Sequence, residues 1–224
     1  MHQRKSKKVL LYFFLLMILG TVHNQILSRI DLPKLKNIKV SGLKEDANME
    51  ITNNLVPLKF QNLFFLNSLK IRKIIDANTQ VESYSVFKKF PSTIVIKIEE
   101  TKILANTYKN GSNHLIGSNG KLIRNSIQKI DKPFLFGNFA TEEFLRFKKI
   151  IDKSELKYLN IKKIYFFDSG RWDIELRSGL LIKLPKKKLL ESLNLSIQLV
   201  SSDNFKNIKI LDMRIDNQVI LNEQ

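Results

Sequence analysis

Three kinds of hydrophobic pattern follow one another along the chain. The first is an uncharged apolar run from Val9 to Val22, preceded by Arg4, Lys5, Lys7 and Lys8. No face of the run is polar, which fits a buried helix of a soluble domain poorly and a membrane well. Counted on to Leu27, the segment reaches about 28 Å at the helical rise of ~1.5 Å per residue, enough to cross a bilayer. Thr21, Val22, His23 and Asn24 offer no small-x-small cleavage site, so the expected element is an uncleaved anchor over 9–27. Its basic flank keeps a tail, 1–8, in the cytoplasm and sends the rest of the chain across the membrane.

The second pattern mixes strand and helix periods over about seventy residues. A short strand around Ile38 to Val40 stops at Ser41-Gly42. "EDANMEITNNL" predicts a short helix with Asp46 as N-cap. "LKIRKIIDAN" predicts a second helix, capped by Asn67 or Ser68, with Ile71, Ile74 and Ile75 on one face. Two strands follow, "VESYSVFKK" and "TIVIKIEE", separated by a turn at Phe90-Pro91. In the latter, Ile94, Ile96 and Ile98 alternate with Val95, Lys97 and Glu99, the period of a strand with one buried face. The order is β-α-α-β-β.

From Ile103 the pattern changes to short strands between polar or glycine turns such as "KNGSN" and "SNG". "FATEEFLRFKKIID" predicts a helix with Thr141 as N-cap, and Glu142 and Glu143 favour its dipole. A three-strand meander follows, with turns at Asp168-Ser169-Gly170 and Ser178-Gly179. An amphipathic helix then carries Leu189, Leu193, Ile197 and Val200 on one side. "IKILDMRIDNQVILNEQ" is strand-like to the end. The expected fold class is α+β: a single N-terminal transmembrane helix, a β-α-α-β-β domain over 28–101, and a mainly antiparallel β domain with two helices over 102–224.

Composition narrows the function. The net charge is +17, carried mostly by lysines spread along the whole chain. Diffuse lysine without a recognition motif argues against nucleic-acid binding, because phosphate-binding charge is usually clustered on one face. The absence of cysteine removes disulfides, thiolate metal sites and cysteine nucleophiles. His2 and His23 lie in the tail and anchor, leaving His114 beside a glycine turn with no metal-ligand spacing around it. Glu99 and Glu100 are neighbours on a strand, so they point to opposite faces and cannot act on one bond as acid and base. Glu142 and Glu143 are explained by helix polarity, and Trp172 reads as a packed residue of its strand. No phosphate loop or nucleophile elbow occurs. No catalytic residue, metal site or cofactor is expected, and binding remains.

Five motifs in order carry a resemblance over essentially the whole chain. They are "NIKVSGL" (37–43), "VFKKFPSTIVIKIEETKILA" (86–105), "GSNGKLI" (117–123), "RWDIELRSGLLIKLP" (171–185) and "ILDMRID" (210–216). This order resembles the FtsQ/DivIB family of bacterial cell-division proteins, which have a short cytoplasmic tail, one membrane helix, a POTRA (polypeptide-transport-associated) domain and a β domain. The resemblance implies a non-enzymatic, single-pass inner-membrane scaffold at the division septum, with its C-terminal domains in the periplasm. It further implies that the closing strand pairs with FtsB- and FtsL-type partners, which control septal peptidoglycan synthases. Carried to this chain, the partner edge would comprise Met213, Arg214, Ile215, Asp216, Val219 and Ile220, on or beside that strand. Ile215 stands where some family members have an aromatic residue. The alternative is another membrane-anchored POTRA protein, acting in envelope transport or assembly.

Overall fold

The alternation in "TIVIKIEE" places β3 (Thr93–Glu100) at the centre of a three-stranded sheet. It lies between β1 (Asn37–Ser41), which it pairs in parallel, and β2 (Val81–Lys89), which it pairs antiparallel. Ile94, Ile96 and Ile98 point into the core while Lys97 and Glu99 face out. Glu99 accepts a 2.6 Å hydrogen bond from Ser83 Oγ on β2. The acid therefore closes a cross-strand pair. The structure, a computed structural model, describes residues 4–21, 33–124, 130–201, 208–215 and 218–223.

Helices α2 (Glu45–Leu55) and α3 (Ser68–Asp76) pack on this sheet, joined by a 3₁₀ turn (Val56–Phe60). Ile51 and Leu55 from α2, and Ile71 and Ile75 from α3, share one core with the β3 isoleucines. The Asn67 side chain caps α3 by accepting from Leu69 N–H at 2.9 Å. Asp46 does not cap α2. Lys44 holds the N-cap position without a side-chain bond, and Asp46 falls in the first turn, where its charge suits the dipole. Asn48 reaches back instead, accepting from Leu43 N–H and donating to Leu43 C=O at 2.7 Å.

The second unit is one nine-stranded sheet in the order β12-β11-β10-β9-β8-β7-β4-β5-β6. Its strands are β4 (Ile103–Lys109), β5 (Ser112–Gly117), β6 (Leu122–Arg124), β7 (Phe134–Phe136), β8 (Ile161–Phe166), β9 (Trp172–Leu176), β10 (Leu181–Lys183), β11 (Ile208–Asp212) and β12 (Ile220–Glu223). Five of its pairings are antiparallel, and β4·β7, β7·β8 and β10·β11 are parallel. Parallel neighbours need a crossover. Helices α4 (Thr141–Lys153) and α5 (Leu189–Ser201) lie between β7 and β8 and between β10 and β11 in the chain. Phe144, Phe147 and Ile151 of α4 and Leu193 of α5 share the core with Trp172, whose ring stacks on Phe147 at 4.6 Å and 4°. Ala140, not Thr141, occupies the N-cap of α4, and Glu143 accepts its N–H at 3.0 Å. The strand-like C-terminal stretch is two strands, β11 and β12, paired antiparallel and joined through residues 213–219.

The two units meet where the chain leaves β3. Thr101, buried, donates its hydroxyl to Glu82 Oε2 at 2.7 Å, and Ser118 Oγ donates to the same oxygen at 2.7 Å. Asn119 Nδ2 donates to the carbonyls of Thr79 and Val81, both at 2.9 Å. Lys121 Nζ donates to Asp76 C=O at 2.7 Å. A Cβ on Gly117 would stand 2.7 Å from Thr101 Oγ1, so only glycine lets β5 approach the junction this closely.

The N-terminal run forms α1 (Arg4–Thr21), with its apolar side chains from Val9 to Leu19 exposed. Four of its eighteen residues are basic, and no helix among the described residues is long and apolar enough to cross a membrane. The expected span over 9–27 is described only as far as Thr21; residues 22–27 lie outside the described residues.

Candidate functional site: an open edge strand beside an apolar groove

Edges of β-sheets present unpaired backbone groups, and proteins usually guard them with lysine, proline or bulges. Among the described residues the two sheets have four edges: β1, β2, β6 and β12. Lys39 lies on β1, Lys88 and Lys89 on β2, and Arg124 on β6. β12, with Ile220, Leu221, Asn222 and Glu223, has no basic residue. Its Ile220 is 50% exposed. Of the four edges, β12 is the least defended against strand addition.

A groove of about 240 Å³ opens beside this edge, between α5 and the segment joining β11 to β12. Leu195, Met213, Ile215 and Val219 form its apolar lining, with Lys188 and Glu191 at its rim. Leu195 lies off the Leu189-Leu193-Ile197-Val200 stripe, on the side of α5 turned from the core, and is exposed. Lys188, one residue before α5, holds a left-handed backbone at φ 58°, uncommon for a non-glycine residue.

The six residues expected at the partner edge occupy different environments. Met213 is buried: its side chain joins the core, and its N–H donates to Lys183 C=O at 2.9 Å. Arg214 is exposed but folds back on its own strand, with Nε 2.8 and 2.9 Å from the two carboxylate oxygens of Asp212. The Asp212 carboxylate also accepts Arg214 N–H at 3.1 Å. Ile215 is 50% exposed in the bend after β11, and Val219 and Ile220 are exposed at and just before the start of β12. Asp216 lies outside the described residues. The geometry thus brings Met213, Ile215 and Val219 together at the groove and gives Arg214 an internal task.

Pro185, Lys188, Ser192 and Leu195 were not anticipated at the groove, because α5 precedes β11 in the chain and reaches this surface only through the crossover. An apolar residue off the core stripe, Leu195, was the one available signal.

Asp212 belongs to a row of paired positions crossing the sheet, Tyr165–Asp173–Lys183–Asp212–Ile220. The hydrogen bonds from Arg214 hold the Asp212 carboxyl below the usual carboxylate range. Asp173 moves the other way: burial raises its carboxyl, against the opposing pull of Arg171, whose Nε lies 3.2 Å away. A depressed folded-state pKa contributes stability above the unfolded value, about 4 for aspartate, and that stability is lost as pH falls through the folded value. Asp212→Asn is therefore expected to cost stability at neutral pH and to cost nothing once Asp212 is protonated. Thermal midpoints of the chain and the variant, followed from pH 7 into acid, should converge. A constant gap would show that Asp212 acts through shape alone.

Among the described residues, no three histidine, aspartate or glutamate side chains converge as metal ligands. His114 Nδ1 lies 3.1 Å from Ser112 C=O on its own strand.

The fold and this edge define a class: two small α+β modules in series, the second ending in an open strand beside an apolar groove. A model of the POTRA domain of FtsQ type matches residues 34–101, and one of the C-terminal part of cell division protein FtsQ/DivIB matches residues 105–214. The chain belongs to the FtsQ/DivIB family of bacterial cell-division proteins. Cell division protein FtsQ of Rickettsia bellii (strain RML369-C) is 26% identical over 195 residues, covering 83% of this chain and 70% of that protein. Its counterpart in Bradyrhizobium diazoefficiens is 23% identical over 192 residues, covering 84% of this chain and 56% of that protein. A solved structure of the major extracytoplasmic domain of the trans isomer of the cell division protein DivIB from Geobacillus stearothermophilus is 15% identical. It covers 50% of this chain and 99% of that one, with a TM-score of 0.35.

Proposed function

We propose that this chain is a non-enzymatic scaffold of the division machinery that binds FtsB- and FtsL-type partners by strand addition at β12 and thereby helps regulate septal peptidoglycan synthesis. The observation that carries the proposal is the unguarded β12 edge with an apolar groove beside it. An incoming strand would satisfy the free backbone groups of β12, and alternate side chains would supply anchors for the groove. Burying Ile215, Val219 and Ile220 against a partner adds apolar contact at the centre of the interface, where binding energy concentrates. In this reading the chain is tethered to the inner membrane by residues 9–27, with both modules, 28–101 and 102–224, in the periplasm. Arg214 then acts as a positioning residue, locking the bend that presents Ile215.

Ile215 stands in the bend and not in the paired strand, so a charge there tests the surface without breaking a ladder bond. Ile215→Asp with Ile220→Asp places two carboxylates on exposed apolar positions, where the fold should tolerate them. Capture of an FtsB-type partner by the purified chain is expected to fall by two orders of magnitude or more, equivalent to at least about 2.7 kcal/mol. The circular-dichroism spectrum and melting temperature should stay unchanged. Undiminished capture by the folded variant would reject this edge.

A further inference from the structure

Away from the β12 edge, the first unit carries a second apolar surface. Three chain segments converge there. Leu35 N–H donates to Gln61 C=O at 3.0 Å, Lys34 and Asn62 form a β-bridge, and Lys36 N–H donates to Ser92 C=O at 2.8 Å. The start of the first unit, the loop after the 3₁₀ turn and the tip of the β2–β3 hairpin are thus held as one surface. Lys88 Nζ lies 3.5 Å from Phe64 C=O, and the rings of Phe64 and Phe90 meet at 4.7 Å.

The surface presents large apolar side chains outward. Phe60 is 80% exposed and Phe65 79%, and Phe64 and Phe90 are more than half exposed. Burying such rings in the core would be the ordinary outcome, so four exposed phenylalanines around one site need an occupant. The same segments carry Lys34, Lys36, Lys59, Lys88 and Lys89, all exposed, and residues 33–37, 59–67 and 88–93 include no acidic residue. Apolar rings with cations on the same segments match the boundary of an anionic bilayer, where rings sit among the upper acyl chains and ammonium groups meet lipid phosphates.

Chain connectivity points to the same occupant. The exposed apolar helix α1 ends at Thr21, and the described chain resumes at Pro33 inside this surface. The intervening eleven residues span at most about 40 Å. A membrane holding α1 therefore lies within a short tether of the aromatic loop.

We propose that Phe60, Phe64, Phe65 and Phe90, with the lysines of the same segments, dock the first unit onto the anionic lipid surface from which the chain emerges. The proposal rests on the membrane tether described above and adds a second contact to it. Docking would fix the orientation of the first unit, and the junction at Glu82, Thr101 and Asn119 would carry that orientation toward the second.

The chain has no cysteine, so one introduced cysteine gives a unique site for a nitroxide label. The full chain, reconstituted in vesicles of mixed zwitterionic and anionic phospholipid, is labelled separately at Phe60→Cys, Leu15→Cys and Arg146→Cys. Collision rates with oxygen and with a water-soluble nickel chelate report depth. The label at 60 is expected to fall between the other two, with oxygen contact severalfold above that at the aqueous reference, 146. Adding Phe65→Ser and Phe90→Ser should return it to the aqueous value; both positions are exposed, so the fold should survive. Vesicles without anionic lipid should weaken the effect, and equal depth there would overturn the role of the lysines. An aqueous label at 60 beside a deep label at 15 would overturn docking while leaving the tether standing. An aqueous label at 15 would overturn the tether, and the label at 60 would then judge docking alone. A label at 60 that stays in water and becomes immobile only when a partner protein is added would assign the surface to that protein and overturn the proposal.

Discussion

Gly42→Ala is expected to unfold the first unit while leaving the second folded. Gly42 follows β1 at φ +118°, a region that residues with a Cβ rarely enter. The added methyl would stand 1.8 Å from the carbonyl oxygen of Ile98 and 2.7 Å from its carbon. Neither atom can retreat, because Ile98 belongs to the central strand and its side chain is packed in the core. Relief requires β1 to leave β3, removing one of three strands from the sheet. Strain at such a position costs roughly 1–3 kcal/mol, and the backbone collision adds to it, so the loss should exceed about 3 kcal/mol. The single tryptophan, Trp172, lies in the second unit, so its fluorescence reports that unit alone. Gly42→Ala should abolish amide-exchange protection over β1–β3 and leave the Trp172 emission maximum in place. Retained protection in β3 would show that β1 is dispensable to the sheet.

Phe147→Ala should have the complementary effect. Phe147 is fully buried on α4 and stacks on Trp172, which also meets Phe166 at 4.6 Å. Truncation removes a large aromatic side chain from a well-packed site and leaves a cavity, at a cost of roughly 3–5 kcal/mol. The loss of the ring pair contributes to that sum. The second unit should melt at a markedly lower temperature with a red-shifted tryptophan emission, while exchange protection of β3 persists. Because β12 is held by pairing with β11 in the same sheet, the partner capture proposed for this edge should fail as that unit melts. The two variants thus separate the modules: one should retain partner capture with its first unit lost, and the other should lose capture with its first unit intact.

Local patterning accounts for most of the elements. Alternation at Ile94, Ile96 and Ile98, the Ile71-Ile75 face, the Asn67 cap and the turn glycines of the meander each act within a few residues, and each forms as the pattern indicates. Asp46 and Thr141 misled because a capping residue is recognised by the backbone bond it accepts. The α2 cap falls two residues before Asp46, at Lys44, and the α4 cap one residue before Thr141, at Ala140, so each expected side chain falls inside the first turn. The closing stretch misled for a related reason. β-Branched and apolar residues continue across it, and pattern alone does not show where two strands fold back on each other.

The candidate site was legible in part. Ile215, Val219 and Ile220 are exposed, whereas Arg214 is committed to Asp212 and Met213 to the core. Their fates depend on Asp212, Lys183 and α5, which pair or cross over from elsewhere in the chain. The same holds for the groove lined by Leu195, the oxygen of Glu82 shared by Thr101 and Ser118, and the phenylalanines gathered from two loops. Periodicity and capping describe which face of an element is apolar and where it stops. Strand order, the choice of edge and the meeting of distant side chains come from packing summed over the whole sheet, and no short stretch of the chain contains that sum.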